Sequence, residues 1–124
     1  MSSIVDVAFY LWQVSPDKTR VAIDIDVEDG WHIYWENPGQ SGYPTELSGA
    51  CISKTVYPPP HRFDMPGGII NYGYSNQLWL FAEGNCKDGA PITLYWLACQ
   101  DDTCLPGEAS GTLKPMAKDL RLQA

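Results

Sequence analysis

Cys99 and Cys104 are the residues of this chain whose type and spacing most directly offer chemistry. An apolar run, Ile92 to Ala98, delivers Cys99 to the mouth of the polar loop Gln100-Asp101-Asp102-Thr103, and Cys104 then opens Leu105-Pro106-Gly107. Two sulfurs flanking such a turn meet easily if the segments around them form a hairpin, because a disulfide needs Cα atoms only about 5.5 Å apart. Thiol–disulfide exchange asks for one accessible sulfur that can be attacked and a second close enough to resolve the mixed disulfide. Closing so small a ring restricts the unfolded chain by about 2 kcal/mol in the entropy model, against about 4 kcal/mol for a Cys51–Cys86 ring. The Cys99/Cys104 pair is therefore a poor staple and makes better sense as a reversible redox centre. Cys51 and Cys86 read either as a structural disulfide or as two free thiols.

The two sulfurs of the hairpin differ in surroundings. Cys99 ends an apolar strand behind Trp96 and Leu97 and is expected to be the more buried, while Cys104 leaves the polar loop nearer the surface. Asp101 and Asp102 lie between them, where negative charge disfavours a thiolate; both are also ordinary turn residues. His32 reads first as a surface strand histidine and second as a proton-transfer group. Zinc is the competing use of Cys99 and Cys104, with His32 or His61 as further ligands. A structural zinc site wants a second clear ligand pair, which the sequence lacks. Copper handling would want Met or His beside the cysteines, and 95–108 supplies neither. No metal and no cofactor is expected.

The elements that must position this pair read as β throughout. Ile4 to Trp12 is strand-rich and ends at Ser15-Pro16-Asp17. From Arg20 to Val27, Val21, Ile23, Ile25 and Val27 alternate with Ala22, Asp24 and Asp26, giving one buried and one wet face. Trp31 to Trp35 is a further strand, closed by Asn37-Pro38-Gly39. Thr45 to Tyr57 carries a weaker strand pattern that the run Pro58-Pro59-Pro60 ends, since proline cannot donate to a ladder. His61 to Asn76 reads as a long irregular segment, Gln77 to Glu83 as strand, and the chain closes through the Ile92 strand and one around Ala109 to Leu113. No helical period appears, and turn signals recur at sandwich spacing. The expectation is seven or eight short antiparallel strands in two sheets, with most aromatic residues in the core.

A chain of 124 residues makes one domain of common size that buries a real core without staples. A net charge of −7 with scattered carboxylates argues against nucleic acid or an anionic membrane surface as partner. No apolar run approaches the roughly 20 residues of a membrane span. Met1-Ser2-Ser3 runs straight into the strand pattern without a leader signature, and the natural chain is expected to extend at both ends.

Two stretches carry a resemblance to a known family: Asp29-Gly-Trp-His-Ile-Tyr-Trp-Glu-Asn-Pro-Gly-Gln-Ser-Gly-Tyr-Pro-Thr45, and Tyr95-Trp-Leu-Ala-Cys99 with Cys104-Leu-Pro-Gly-Glu108. A weaker third is Val56-Tyr-Pro-Pro-Pro60 through Asn71-Tyr-Gly-Tyr74. The sequence resembles the periplasmic amino-terminal domain of DsbD-type thiol:disulfide interchange proteins of the bacterial inner membrane. The resemblance implies an all-β, immunoglobulin-like antiparallel sandwich over 1–117, with 118–124 a tail, a short helix or a linker toward a membrane domain. It implies a protein-disulfide reductase acting within a larger relay, on the periplasmic side of the membrane. Electrons would pass from a thioredoxin-like domain of the same parent protein, through Cys99 and Cys104, to oxidised disulfide isomerases or cytochrome c maturation thioredoxins. Cys104 would form the mixed disulfide and Cys99 resolve it. The family's cap loop falls around Ile69 to Tyr74, on Ile69, Ile70, Asn71 and Tyr72, with Asn71 or Tyr72 at the shielding position, and Tyr34 and Trp35 match site-lining aromatics or else serve packing alone. The pattern departs from better-studied members in a shorter loop between the cysteines and in the presence of Cys51 and Cys86. The alternative is an immunoglobulin-like adhesion or carbohydrate-binding module whose disulfides are all structural.

Overall fold

Val21, Ile23, Ile25 and Val27 all enter the core, none more than 6% exposed, as the alternation along one strand requires. The computed structural model describes residues 4–116, so the tail or linker expected at 118–124 lies outside the described residues. Eleven strands run in order: β1 (Val5–Ser15), β2 (Lys18–Val27), β3 (Ile33–Gly39), β4 (Glu46–Ser48), β5 (Ile52–Val56), β6 (His61–Met65), β7 (Ile69–Tyr74), β8 (Gln77–Gly84), β9 (Pro91–Gln100), β10 (Thr103–Thr112) and β11 (Lys114–Pro115). One layer is a five-stranded sheet in the order β11-β1-β2-β8-β5. The other is built from β10-β9-β4 and β3-β7-β6, joined where His32 and Cys99 bridge. Phe9, Ile23, Leu80, Ile33, Leu94 and Leu113 belong to the shared core between the layers.

Four expectations change. Thr45 to Tyr57 is two strands rather than one, because the chain turns at Gly49 to Cys51 to pass from β4 beside β9 to β5 beside β8. The pairing of β1 with β11 is parallel, so the sandwich is not purely antiparallel, and its strands exceed seven or eight. His61 to Asn76 is not irregular: β6 and β7 pair antiparallel from His61↔Gly73 to Met65↔Ile69. The hairpin turns at Gly67 and Gly68, both with positive φ, a conformation glycine adopts without penalty. At its other end a Cβ on Gly73 would lie 2.0 Å from the Ile33 carbonyl oxygen, so only glycine admits this approach of β7 to β3.

A disulfide joins Cys51, just before β5, to Cys86, just after β8, with Cα atoms 5.0 Å apart. It ties together the ends of two paired strands.

Candidate functional site

The register of β9 and β10 sets Cys104 directly opposite Cys99 and Gln100 opposite Thr103, leaving Asp101 and Asp102 as the two-residue turn. Asp101 takes the left-handed conformation, φ 50°, which Asp tolerates better than most residues. The sulfurs are bonded, and the Cα atoms lie 4.1 Å apart. This closeness follows from the ladder. Cys99 donates its N–H to His32 O at 2.9 Å and accepts from His32 N at 3.0 Å. Both of its backbone groups are therefore spent on the far side, making Cys99 and Cys104 a non-hydrogen-bonded pair, the closer kind in an antiparallel ladder. Pro106, two residues on, falls at the next such position opposite Leu97, where its missing N–H costs no ladder bond.

The two sulfur-bearing residues face different environments. Cys99 is completely buried, and Cys104 is exposed. The bonded pair thus joins a buried residue to an exposed one.

Behind Cys99 stands a small polar and aromatic cluster. His32 is buried, with Nε2 3.2 Å from Tyr34 Oη. Its ring stacks on Phe63 of β6 at 4.7 Å between centroids. Burial pushes the imidazole below its ordinary value, because the charged form loses solvation. The reading of His32 as a surface histidine is thus overturned: the hairpin covers it. Tyr34 is likewise buried, and burial raises its phenol while the Asn71 side chain acts in the opposite direction. Asn71 is 1% exposed, and its Oδ1 accepts from both the N–H and the hydroxyl of Ser41 at 3.1 Å. That ties β7 to the loop following Asn37-Pro38-Gly39, as does Gln40 Oε1, which accepts from Ile70 N at 2.6 Å.

The residues expected to cap the pair divide by face. Alternation along β7 puts Ile69 and Asn71 on one face and Ile70 and Tyr72 on the other. Tyr72 meets Trp35 edge-on at 6.4 Å, and Trp35 packs against the core. Tyr72 and Trp35 therefore pair with each other, and Asn71 serves as an anchor for the neighbouring loop. The aromatic residue that the hairpin sets against the cysteine strand's partner is Phe63, which sequence reasoning missed. Its signal was available: an aromatic alternating with polar neighbours in His61-Arg62-Phe63-Asp64, directly after the proline run. An open cleft of about 400 Å³ separates the hairpin from the redox turn, lined by Trp31, His32, Phe63, Met65 and Asp101 among others. Among the described residues, no group of three or more His, Cys, Asp or Glu side chains is placed to hold a metal.

These features define a sandwich carrying a hairpin disulfide with one exposed sulfur. Residues 4–114 match the family described as the thiol:disulfide interchange protein DsbD, N-terminal. The chain belongs to that family. Its fold is similar to the N-terminal periplasmic domain of ScsB from Proteus mirabilis, with a TM-score of 0.80 and 22% identity. That match covers 98% of this chain but 52% of the other, so this chain spans about half of the ScsB fragment. It is also similar to the Neisseria meningitidis DsbD N-terminal domain in its reduced form, with a TM-score of 0.60 and 11% identity over 90% of this chain and 86% of that one. Both place the architecture among immunoglobulin-like sandwiches. None of the curated proteins matches the chain by sequence.

Proposed function

We propose that this domain is a periplasmic protein-disulfide reductase module that passes electrons from a thioredoxin-like reductant of its own parent protein to oxidised thioredoxin-fold partners. The observation carrying this reading is the pairing of exposed Cys104 with fully buried Cys99 across a two-residue turn. In the reduced domain, the Cys104 thiolate attacks one sulfur of the partner's disulfide. The partner's S–S bond breaks and its departing sulfur takes up a proton. Cys99, deprotonated, then attacks Cys104 Sγ in the mixed disulfide and releases the partner's second thiol. Two electrons reach the partner, and the domain is left with the Cys99–Cys104 bond. The parent's thioredoxin-like dithiol restores the reduced pair by the same steps in reverse.

The periplasmic location in this reading draws on the ScsB domain, described as periplasmic, and the membrane-anchored parent draws on family membership. Disulfide isomerases and cytochrome c maturation thioredoxins are the partner class it assigns. Trapping tests the order of attack. With an oxidised thioredoxin-fold partner, Cys99→Ala is expected to accumulate a stable mixed disulfide and Cys104→Ala none; the opposite pattern reverses the roles. A reduction potential for the Cys99–Cys104 pair above about −300 mV fits a working couple, whereas a lower value fits a binding module with structural disulfides.

A further inference from the structure

Hydrogen-bonding groups in an antiparallel ladder alternate between the two sides of a strand. Since Cys99 and Cys104 are a non-hydrogen-bonded pair, Leu105 and Gly107 direct their backbone groups inward to β9. Cys104, Pro106 and Glu108 direct theirs outward. β10 is the edge of its three-stranded sheet, and among the described residues no strand pairs with that outer side. Cys104, Leu105, Pro106 and Glu108 are all exposed. The attackable sulfur and an unpaired backbone N–H and C=O thus belong to one residue. The charge here is of one sign: Asp101, Asp102 and Glu108 are exposed, and residues 91–112 contain no Lys, Arg or His.

We propose that β10 from Cys104 to Glu108 is a docking edge on which an extended, lysine- or arginine-bearing segment of a cystine-containing partner protein pairs through main-chain hydrogen bonds. The proposal rests on the exchange reading and adds how the partner is held while its sulfur meets Cys104. Strand addition of this kind gives affinity through the backbone and selectivity through flanking side chains. The Cys104 N–H and C=O, the Pro106 C=O and the Glu108 N–H form the footprint. Pro106 supplies an acceptor only, which keeps that footprint short and release easy.

The test uses the Cys99→Ala domain joined at Cys104 to the peptide Lys-Val-Cys-Val-Lys, prepared from the peptide's thionitrobenzoate mixed disulfide. The adduct forms with this activated reagent whether or not a protein partner is ever reduced, so failure of the exchange reading is seen separately, in the trapping experiment. The control adduct carries the same peptide N-methylated at both valines. Amide hydrogen exchange at Cys104 and Glu108 is expected to be about tenfold slower in the first adduct than in the control. Leu105 and Gly107, already bonded to β9, should exchange alike in both and report that the sheet is intact. Equal rates at Cys104 and Glu108 in the two adducts overturn the docking edge. A second arm uses the reduced native domain with the activated peptide and a version bearing Glu for both Lys. The lysine peptide should release thionitrobenzoate faster, with the advantage shrinking as salt rises; equal rates at low salt overturn the charge assignment.

Discussion

The ring of His32 shows how one side chain reports on its surroundings. Burial pushes its imidazole below the ordinary value, so proton uptake at this ring in acid favours the unfolded chain. With the folded value below the ordinary 6.5, the unfolded chain binds more protons once pH falls below about 6.5, and stability must drop there. At higher pH this contribution is fully present. Urea unfolding at a series of pH values should show that loss, and His32→Gln should flatten it between neutral pH and pH 5. Phe63→Ala readmits water to the imidazole, so its titration followed by NMR should move back toward 6.5. An unchanged titration would mean the stacked ring is not what keeps water out. Asp26 shifts the opposite way. Partial desolvation of this exposed residue, with Asp24 and Asp6 beside it, raises its carboxyl, so Asp26→Asn should stabilise the domain at neutral pH and lose that advantage in acid.

At the scale of elements, the β6–β7 hairpin is held differently at its two ends. At the tip, Gly67 has positive φ and open space around its missing Cβ, so Gly67→Ala should cost about 1 kcal/mol from backbone conformation alone. At the base, Gly73→Ala drives a methyl into the Ile33 carbonyl and should cost several times more, which paired thermal melts would show. The same hairpin marks the limit of what the sequence discloses. β2 was legible because one face lies in the core while Asp24 and Asp26 mark the other, and β8 because its apolar, aromatic-rich run is bounded by turn residues. None of the β6 side chains is buried, so the one period-two signal it carries, Phe63 between polar neighbours, was faint, and glycines at 67 and 68 made the segment look like loop. The Cys99 hairpin was legible from local turn chemistry. His32 was not, because the residues that bury it, Cys99 and Phe63, come much later in the chain.

For the whole molecule, the two disulfides close rings of very different length. The Cys51–Cys86 bond spans 35 residues and the Cys99–Cys104 bond spans 5, so removing the first should cost about 4 kcal/mol and removing the second about 2. Denaturant unfolding of the Cys51→Ala/Cys86→Ala and Cys99→Ala/Cys104→Ala double variants should rank that way, with redox exchange lost only in the second. Pro106 bears on how such a domain behaves at high concentration. An exposed edge with an unbroken row of donors would template copies of itself into growing sheets. The missing N–H in the middle of β10 interrupts that row, so the edge accepts one short visitor without recruiting further copies of the domain. Pro106→Val should restore the row and make the protein self-associate, visible as rising light scattering at concentrations where the native domain stays clear.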